Sequence, residues 1–297
     1  MTNKLVLFLT TLLLSFSCYA KGKEALLIGI GKYDTKATGW GKMHGDSDVA
    51  LLSPLLRKQG FSVSKLVNKE ATKENIVNSI KELTLRVNRG DRIFILFSLH
   101  GQLTEDCNGD ESRPFDEALV PYDALRSEGY AAVPKIYRGE NHLIDDELAI
   151  LLQAIRLKAA SEGELFVAFD ACYSRGLERG GEDEFPEDFN IDLLPEYTRG
   201  TDNLFSPSDK SYLKSLPLPP AFTTGCLMAI VSACADNERN FEVKIGNRYY
   251  GSLSYCISLL LKKNADFNDW INYFQSGKYQ NSGCFTPFQH PSIKIYK

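Results

Sequence analysis

With 297 residues the chain is long enough to bury a full core within one large α/β domain. Its 43% apolar and 24% charged content is that of an ordinary globular protein. A formal charge of -4, with Lys and Arg scattered along the chain, lacks the basic patch of a nucleic-acid binder, so no nucleic-acid partner is expected.

Residues 1–20 stand apart from the rest. Lys4 gives a positive start, Leu5 to Phe16 is almost wholly apolar, and Cys18-Tyr19-Ala20 ends in a small residue. That layout predicts a secretory signal peptide cut after Ala20, and an exported, periplasmic or secreted, product. The apolar run is too short for a comfortable membrane span, and Ser15-Phe16-Ser17 is a poor lead-in for lipidation of Cys18. Six cysteines follow: Cys107, Cys172, Cys226, Cys234, Cys256 and Cys284. They are sparse and widely spaced, unlike a small disulfide scaffold. Cys234 and Cys256 sit in apolar runs and read as core; pairing of Cys226 with Cys284, or of either with Cys107, stays open.

Glu24 to Gly31 (EALLIGIG) predicts a strand buried on both faces. It starts so near the expected cut that no room for an N-terminal prodomain is foreseen. Asp48 to Lys58 reads as a helix ending at Gly60, then Phe61 to Val67 as a strand. Thr72 suits the cap of a helix presenting Ile76, Ile80, Leu83 and Val87 before Gly90. Asp91 to Leu99 (DRIFILFSL) is a second buried strand running into His100-Gly101. A short strand at Ala118 to Pro121, a helical face of Leu148, Leu151, Leu152 and Ile155, and a strand at Glu164 to Phe169 lead to Asp170-Ala171-Cys172. Residues 176–220, rich in acids, Gly and Pro, read as a long, mobile surface linker. Leu227 to Ala235 is a further buried strand, Ser252 to Leu261 and Asp266 to Phe274 are helices, and Ile293 to Tyr296 is a last strand. Strands alternating with helices predict a mainly parallel sheet covered on both sides.

In such sheets chemistry gathers at the carboxyl ends of strands, where both His100 and Cys172 fall. A cysteine nucleophile needs a thiolate, and a nearby imidazole takes its proton and later donates one to a leaving amine. Taken singly, Cys172 reads as a buried cysteine and His100 as a turn residue; their matching strand-end positions, each beside a small or polar residue that exposes it, favour the catalytic pair. Other motifs fall away. Gly29-Ile30-Gly31 lacks the third glycine of a dinucleotide fingerprint, no G-x-S-x-G is present, and the histidines lack zinc-ligand spacing. His44, His142 and His290 read as surface or turn residues.

These residues resemble the caspase-like cysteine peptidases, most closely the metacaspases, over about Ala25 to Ile295. ALLIGIGKY is similar to the family's first strand, IFILFSLHG to the segment bearing its histidine, and FVAFDACYSRG to the one bearing its nucleophile. GDESRPFDEALVPYD with IDDEL looks specifically metacaspase-like, while AIVSACADNE and YYGSLSYCI resemble the smaller C-terminal region. The resemblance implies a caspase-like α/β sandwich with a six-stranded, mostly parallel central sheet flanked by helices. Residues 21–297 would form one peptidase domain, with a large-subunit-like region (21–176), an acidic linker (177–224) and a small-subunit-like region (225–297). Cys172 would attack the scissile carbonyl, His100 would protonate the departing amine, and the amides of Gly101 and Cys172 would form the oxyanion hole. Asp48, Ser98 and Asp170, with Asp236, match positions lining the primary specificity pocket. Carboxylates in a partly desolvated pocket want a cation, so the expected partner is a protein or peptide substrate with Arg or Lys before the cut. The lesser alternative for Asp48 is the cap of the helix it begins, while Asp236 suits a turn as well as the pocket.

No cofactor is required by this chemistry. The resemblance makes calcium a candidate ligand, with Asp116, Asp145 and Asp146 matching three of its positions; Asp145 and Asp146 also suit a helix N-terminus. The family's fourth position is unmatched, since Glu178 and Arg179 occupy that neighbourhood. Leu99 replaces a small residue before the histidine, and Tyr173-Ser174-Arg175 replaces a commoner His-Ser-Gly. Arg126, Lys135, Arg138, Arg179 and Arg199 are candidate self-cleavage points, read as exposed basic residues in loops. The alternative to an endopeptidase is a caspase-like scaffold that docks a protein partner.

Overall fold

A computed structural model of the protein describes residues 21–109, 111, 113–127, 136–172, 199–201, 204–235 and 238–297. In chain order the elements are β1 (Lys23–Gly29), α1 (Thr35–Thr38), α2 (Gly45–Lys58), β2 (Ser62–Val67), α3 (Lys73–Arg86), β3 (Arg92–Ser98), β4 (His100–Glu105), β5 (Phe115–Val120) and β6 (Leu143–Ile144). They continue with α4 (Asp145–Ala159), β7 (Glu164–Phe169), β8 (Leu227–Ser232), β9 (Glu242–Ile245), β10 (Arg248–Gly251), α5 (Ser252–Lys262), α6 (Phe267–Gln275) and β11 (Ser292–Tyr296).

Six strands make one sheet in the order β11-β8-β7-β3-β1-β2, parallel except that β11 runs antiparallel to β8. Side chains alternate across it, as the two-residue strand period requires. Leu26, Ile28, Ile95, Phe97 and Val167 face α3 and α4, whose Ile76, Ile80, Leu148 and Leu152 join the same buried cluster. Ala25, Leu27, Phe94, Leu96 and Phe166 face α2, α5 and α6. The Phe166 ring lies 5.5 Å from Phe267 and 5.0 Å, edge-on, from Trp270. Each such side chain contributes about 1.5–3 kcal/mol by leaving water, so strands buried on both faces form the stable centre.

Helix ends follow the sequence closely. The Thr72 hydroxyl accepts from the Asn75 amide at 3.3 Å and starts α3. Asp266 and Asp269 cap the start of α6 reciprocally, each carboxylate accepting the other's amide at 3.0 Å. Helix α2 begins earlier than expected, at Gly45, so Asp48 is not its cap but lies one turn inside it.

Two features depart from the sequence expectations. β4, β5 and β6 form a second, three-stranded antiparallel sheet; the polar string HGQLTE gave no strand signal. The stretch expected to be a mobile surface linker is also different where it is described. Arg199, Thr201, Phe205, Leu213 and Leu216 are buried. Gly200 bridges Gly101, Phe205 bridges Thr104, and Leu213 and Leu216 pack on Ala118 and Ile144. Burial of Phe205 among Leu125 and Tyr137 supplies the apolar contact that holds this segment down. Residues 1–20 and 177–198 lie outside the described residues, and so do Lys135 and Arg179. Among the described residues no helix is long and apolar enough to cross a membrane. All six cysteines are free thiols, so none of the pairings left open is made.

Candidate active site

Strands β3 and β7 are parallel neighbours, with Phe97 opposite Phe169. The ladder extends one step beyond, the Asp170 amide donating to the Phe97 carbonyl at 2.8 Å. The chain then leaves the sheet at His100 on one strand and Cys172 on the other. Both side chains are buried rather than exposed, which corrects the sequence expectation: Gly200 packs on Cys172, and the rings of Tyr33 and Trp40 pack on His100. Gly200 touches both stretches. It bridges Gly101, and a Cβ added to it would sit 2.5 Å from the Cys172 carbonyl oxygen. Only glycine fits there.

The His100 ring packs against both Tyr33 and Trp40, at centroid distances of 5.1 and 5.2 Å. Its backbone N–H donates to the Tyr33 hydroxyl at 3.2 Å, and that hydroxyl donates to the Val120 carbonyl at 2.8 Å. Nε2 lies 3.1 Å from the Gly41 carbonyl. A carbonyl only accepts, so this contact assigns the proton of the neutral ring to Nε2 and leaves Nδ1 as the lone-pair nitrogen. Nδ1 is buried and without a hydrogen-bond partner. Burial pushes His100 down to about 4, with the Arg199 charge acting in the same direction. The imidazole is therefore a neutral base at pH 7.

The Cys172 thiol donates to the Glu238 carbonyl at 3.5 Å. Cys234, read from sequence as plain core, is buried and also hydrogen-bonded to Cys172. That bond, followed by burial, holds the Cys234 thiol well above the usual thiol range.

Asp48, Ser98 and Asp170 come together in one fully buried pocket. Ser98 Oγ donates to Asp48 Oδ2 at 2.7 Å, and the Gly251 amide donates to Asp48 Oδ1 at 2.9 Å. Asp170 accepts from the Ser254 amide at 2.7 Å and from Asn240 Nδ2 at 2.9 Å. A Cβ on Gly251 would lie 2.0 Å from Asp170 Oδ2 and 2.5 Å from Arg199 Nη1, so glycine keeps the pocket open.

The occupant of the pocket is the chain's own Arg199. Its guanidinium pairs with Asp48 Oδ2 at 2.8 Å, with Glu242 Oε1 at 2.9 Å and with Asp170 Oδ1 at 3.4 Å. Arg199 is fully buried, not the exposed loop residue expected, because three carboxylates draw the cation inward. Burial opposes its charge, but Asp170, Asp48 and Glu242 outweigh that and hold Arg199 above the ordinary guanidinium value. Asp48 is pushed up to about 7, by burial first and by the neighbouring acids Asp170 and Glu242, against the lowering effect of Arg199. Both directions agree once the charges are counted: three acids face one guanidinium.

Glu242 was not foreseen as a site residue. Its sequence signal is an acid set between Phe241 and Val243 in a short strand, a buried position for a charged group. Glu242 accepts from the His44 amide at 2.8 Å and meets His44 Nδ1 at 2.5 Å. His44 is thus half-buried and engaged, and His142 is fully buried against Gln102 and Tyr137, contrary to the surface reading of both. Asp236 lies outside the described residues.

Asp116, Asp145 and Asp146 gather apart from this pocket, at β5 and the start of α4. Asp145 is pushed up to about 8 by burial and then by Glu117, Asp116 and Asp146. Its Oδ1 is buried with no hydrogen-bond partner. Asp146 Oδ2 accepts from Asn108 Nδ2 at 2.7 Å. Among the described residues no three His, Cys, Asp or Glu side chains are already arranged round one metal position. An orphaned buried oxygen among like charges nevertheless fits a hard cation in its chemistry.

Residues 23–177 match the family model described as metacaspase, peptidase C14 domain. The chain belongs to the metacaspase family. This is a family of cysteine peptidases, whose substrates are proteins. Among curated relatives, this metacaspase is 27% identical over 266 residues to Metacaspase-1 of Plasmodium falciparum, covering 84% of this chain and 36% of that protein. It is 24% identical over 291 residues to Metacaspase-1 of Schizosaccharomyces pombe, covering 85% and 62%. It is 28% identical over 163 residues to Metacaspase-1 of Meyerozyma guilliermondii, covering 51% and 35%. The match thus spans between about a third and two thirds of those relatives' lengths. Among solved structures, a Geobacter sulfurreducens protein aligns with a TM-score of 0.62 at 21% identity over 93% of each chain. Caspase-1 of Spodoptera frugiperda aligns with a TM-score of 0.51 at 12% identity over 92% of this chain and 86% of that one. The caspase-like fold of this metacaspase is shared with both.

Proposed function

We propose that this metacaspase is an endopeptidase that cuts after a basic residue, with Cys172 as nucleophile and His100 as acid and base. The observation that carries the reading is Arg199: a basic side chain in a pocket of three carboxylates, followed by a glycine pressed against Cys172. In this mechanism His100 Nδ1 takes the Cys172 proton, and sulfur attacks the carbonyl carbon of the basic residue. The carbon–nitrogen bond breaks as His100 returns the proton to the leaving amine, and water then releases the acyl group. The amides of Gly101 and Cys172 are the proposed donors to the oxyanion. The Arg199–Gly200 bond is the chain's own first substrate, which makes the uncut protein latent.

Fluorogenic peptides carrying Arg, Lys or Asp before the reporter test this reading. Turnover of the basic peptides, absent with Asp and abolished in Cys172→Ala, is expected. Activity that survives in Cys172→Ala removes the mechanism, and a wild-type chain inert toward all three leaves the partner-docking scaffold.

No resident cofactor enters any of these steps. Asp116, Asp145 and Asp146 are the residues that would hold calcium, whose charge would offset the repulsion around Asp145. A calcium response in the parent that Asp146→Ala lacks is the expected outcome of a titration; a parent indifferent to calcium rejects the site. Export directed by residues 1–20 is likewise proposed, and an N-terminus at Lys21 in protein recovered outside the cytoplasm is its check.

A further inference from the structure

We propose that Glu242 is a specificity-determining residue of the pocket and makes it select arginine over lysine before the cut. The inference rests on the endopeptidase reading and names which of the two basic residues its site takes.

Arg199 is the template for a bound arginine. Its Nε donates to Glu242 Oε1 at 3.1 Å, and Nη2 donates to the same oxygen at 2.9 Å while pairing with Asp48 Oδ2 at 2.8 Å. Nη1 donates to Ser98 Oγ at 2.7 Å and to the Asp170 carbonyl at 3.2 Å. Every N–H of the planar fork therefore has an acceptor, and the acceptors surround it. One Glu242 oxygen takes both N–H groups along a single edge of the guanidinium.

Lysine has no such edge. Its ammonium is a compact point charge on a stem whose nitrogen corresponds, bond for bond, to the central guanidinium carbon. From there it does not reach the Asp48, Ser98 and Asp170 end of the pocket while keeping Glu242. Acceptors deprived of donors in a dry pocket cost more than the lost bonds themselves.

Glu242 is also held in place from behind, independently of its guanidinium. The His44 amide and ring anchor it at 2.8 and 2.5 Å, and the His44 ring stacks on Tyr249 at 5.0 Å. The acid therefore stays aimed at the pocket when one arginine is exchanged for another. A Glu242 that merely braced the β9–β10 hairpin would lower stability without sorting substrates.

The test compares two fluorogenic peptides that differ only in Arg or Lys before the reporter, using the full-length protein. Wild type should favour Arg by about 100-fold or more in kcat/KM. Glu242→Gln should lower the Arg value by about 10–100-fold, chiefly through KM, lower the Lys value less, and so shrink the ratio at least about tenfold. Glu242→Asp, which keeps the charge, should recover part of the ratio and serves as the readout if the Gln variant does not fold. Equal cleavage of both peptides by wild type, or a ratio that neither variant changes, overturns the proposal. A wild type that cuts neither peptide overturns the endopeptidase reading beneath it, and the proposal with it.

Discussion

Wild-type protein held at neutral pH is expected to cut itself between Arg199 and Gly200, giving a fragment that begins at Gly200, while Cys172→Ala stays whole. The bond is already held in place: Arg199 is anchored by three carboxylates, and Gly200 is fixed between Gly101 and Cys172. Holding reactants in this way replaces a bimolecular encounter by an intramolecular one and removes about 7–11 kcal/mol from a barrier when alignment is good. The rate should not depend on protein concentration. Loss of the nucleophile should slow the cut by at least about 10⁴-fold. Arg199→Gln should also block it by removing the cation, and Gly200→Val should slow it because a side chain there collides with Cys172. Acid should act through His100: protonation of a base pushed down to about 4 removes the acceptor, so the rate falls as pH drops toward that value. Intact-mass measurement and N-terminal sequencing read the site. A cut that persists in Cys172→Ala, or wild-type fragments with other ends and Arg199–Gly200 intact, would sink the idea.

The central sheet was legible because its strands are buried on both faces, and such strands spell themselves as unbroken apolar runs such as RIFILFS and ELFVAF. Helices α3 and α6 were legible through their caps, Thr72 and Asp266. Asp48, Ser98 and Asp170 could be grouped only through the resemblance of their segments to the family's pocket-lining positions; the structure brings them together at one edge of the sheet, Ser98 ending β3, Asp170 following β7 and Asp48 one turn into α2. β4 was not legible, since its burial comes from pairing with β5 and from the covering segment at Gly200 and Phe205, not from its own polar residues. Arg199 was legible only as a basic residue, not as a buried one. Its partners lie far along the chain, Glu242 at 43 positions and Ser98 at 101, and an arginine in an acidic stretch gives no local sign of such burial. Glu242 was missed for the same reason: its role is set by His44 and Arg199, both distant in sequence.

Replacing Arg199 by Met in the uncut Cys172→Ala background is expected to lower the unfolding free energy by about 3–5 kcal/mol. Methionine roughly fills the stem's volume, so the loss reports charge and not a cavity. What remains is Asp48, Asp170 and Glu242 in a pocket sealed from water, where each ionised carboxylate is costly and mutual repulsion adds to the cost. The loss should depend on pH with a definite sign. Asp48 titrates at about 7 in the fold, against about 3.9 in an unfolded chain. An acid with the higher folded value binds its proton preferentially in the fold. Its favourable contribution is therefore complete below about pH 4 and fades as the pH rises through about 7. Without the guanidinium this fading should steepen, so the gap between Arg199→Met and its parent should be larger at pH 8 than at pH 5 in denaturant titrations. A gap below about 1 kcal/mol that ignores pH would mean that water reaches the acids freely and that Arg199 is not their counter-ion. The same imbalance explains why the pocket would bind a substrate: an arginine entering from another chain offsets the repulsion that departure of Arg199 leaves behind.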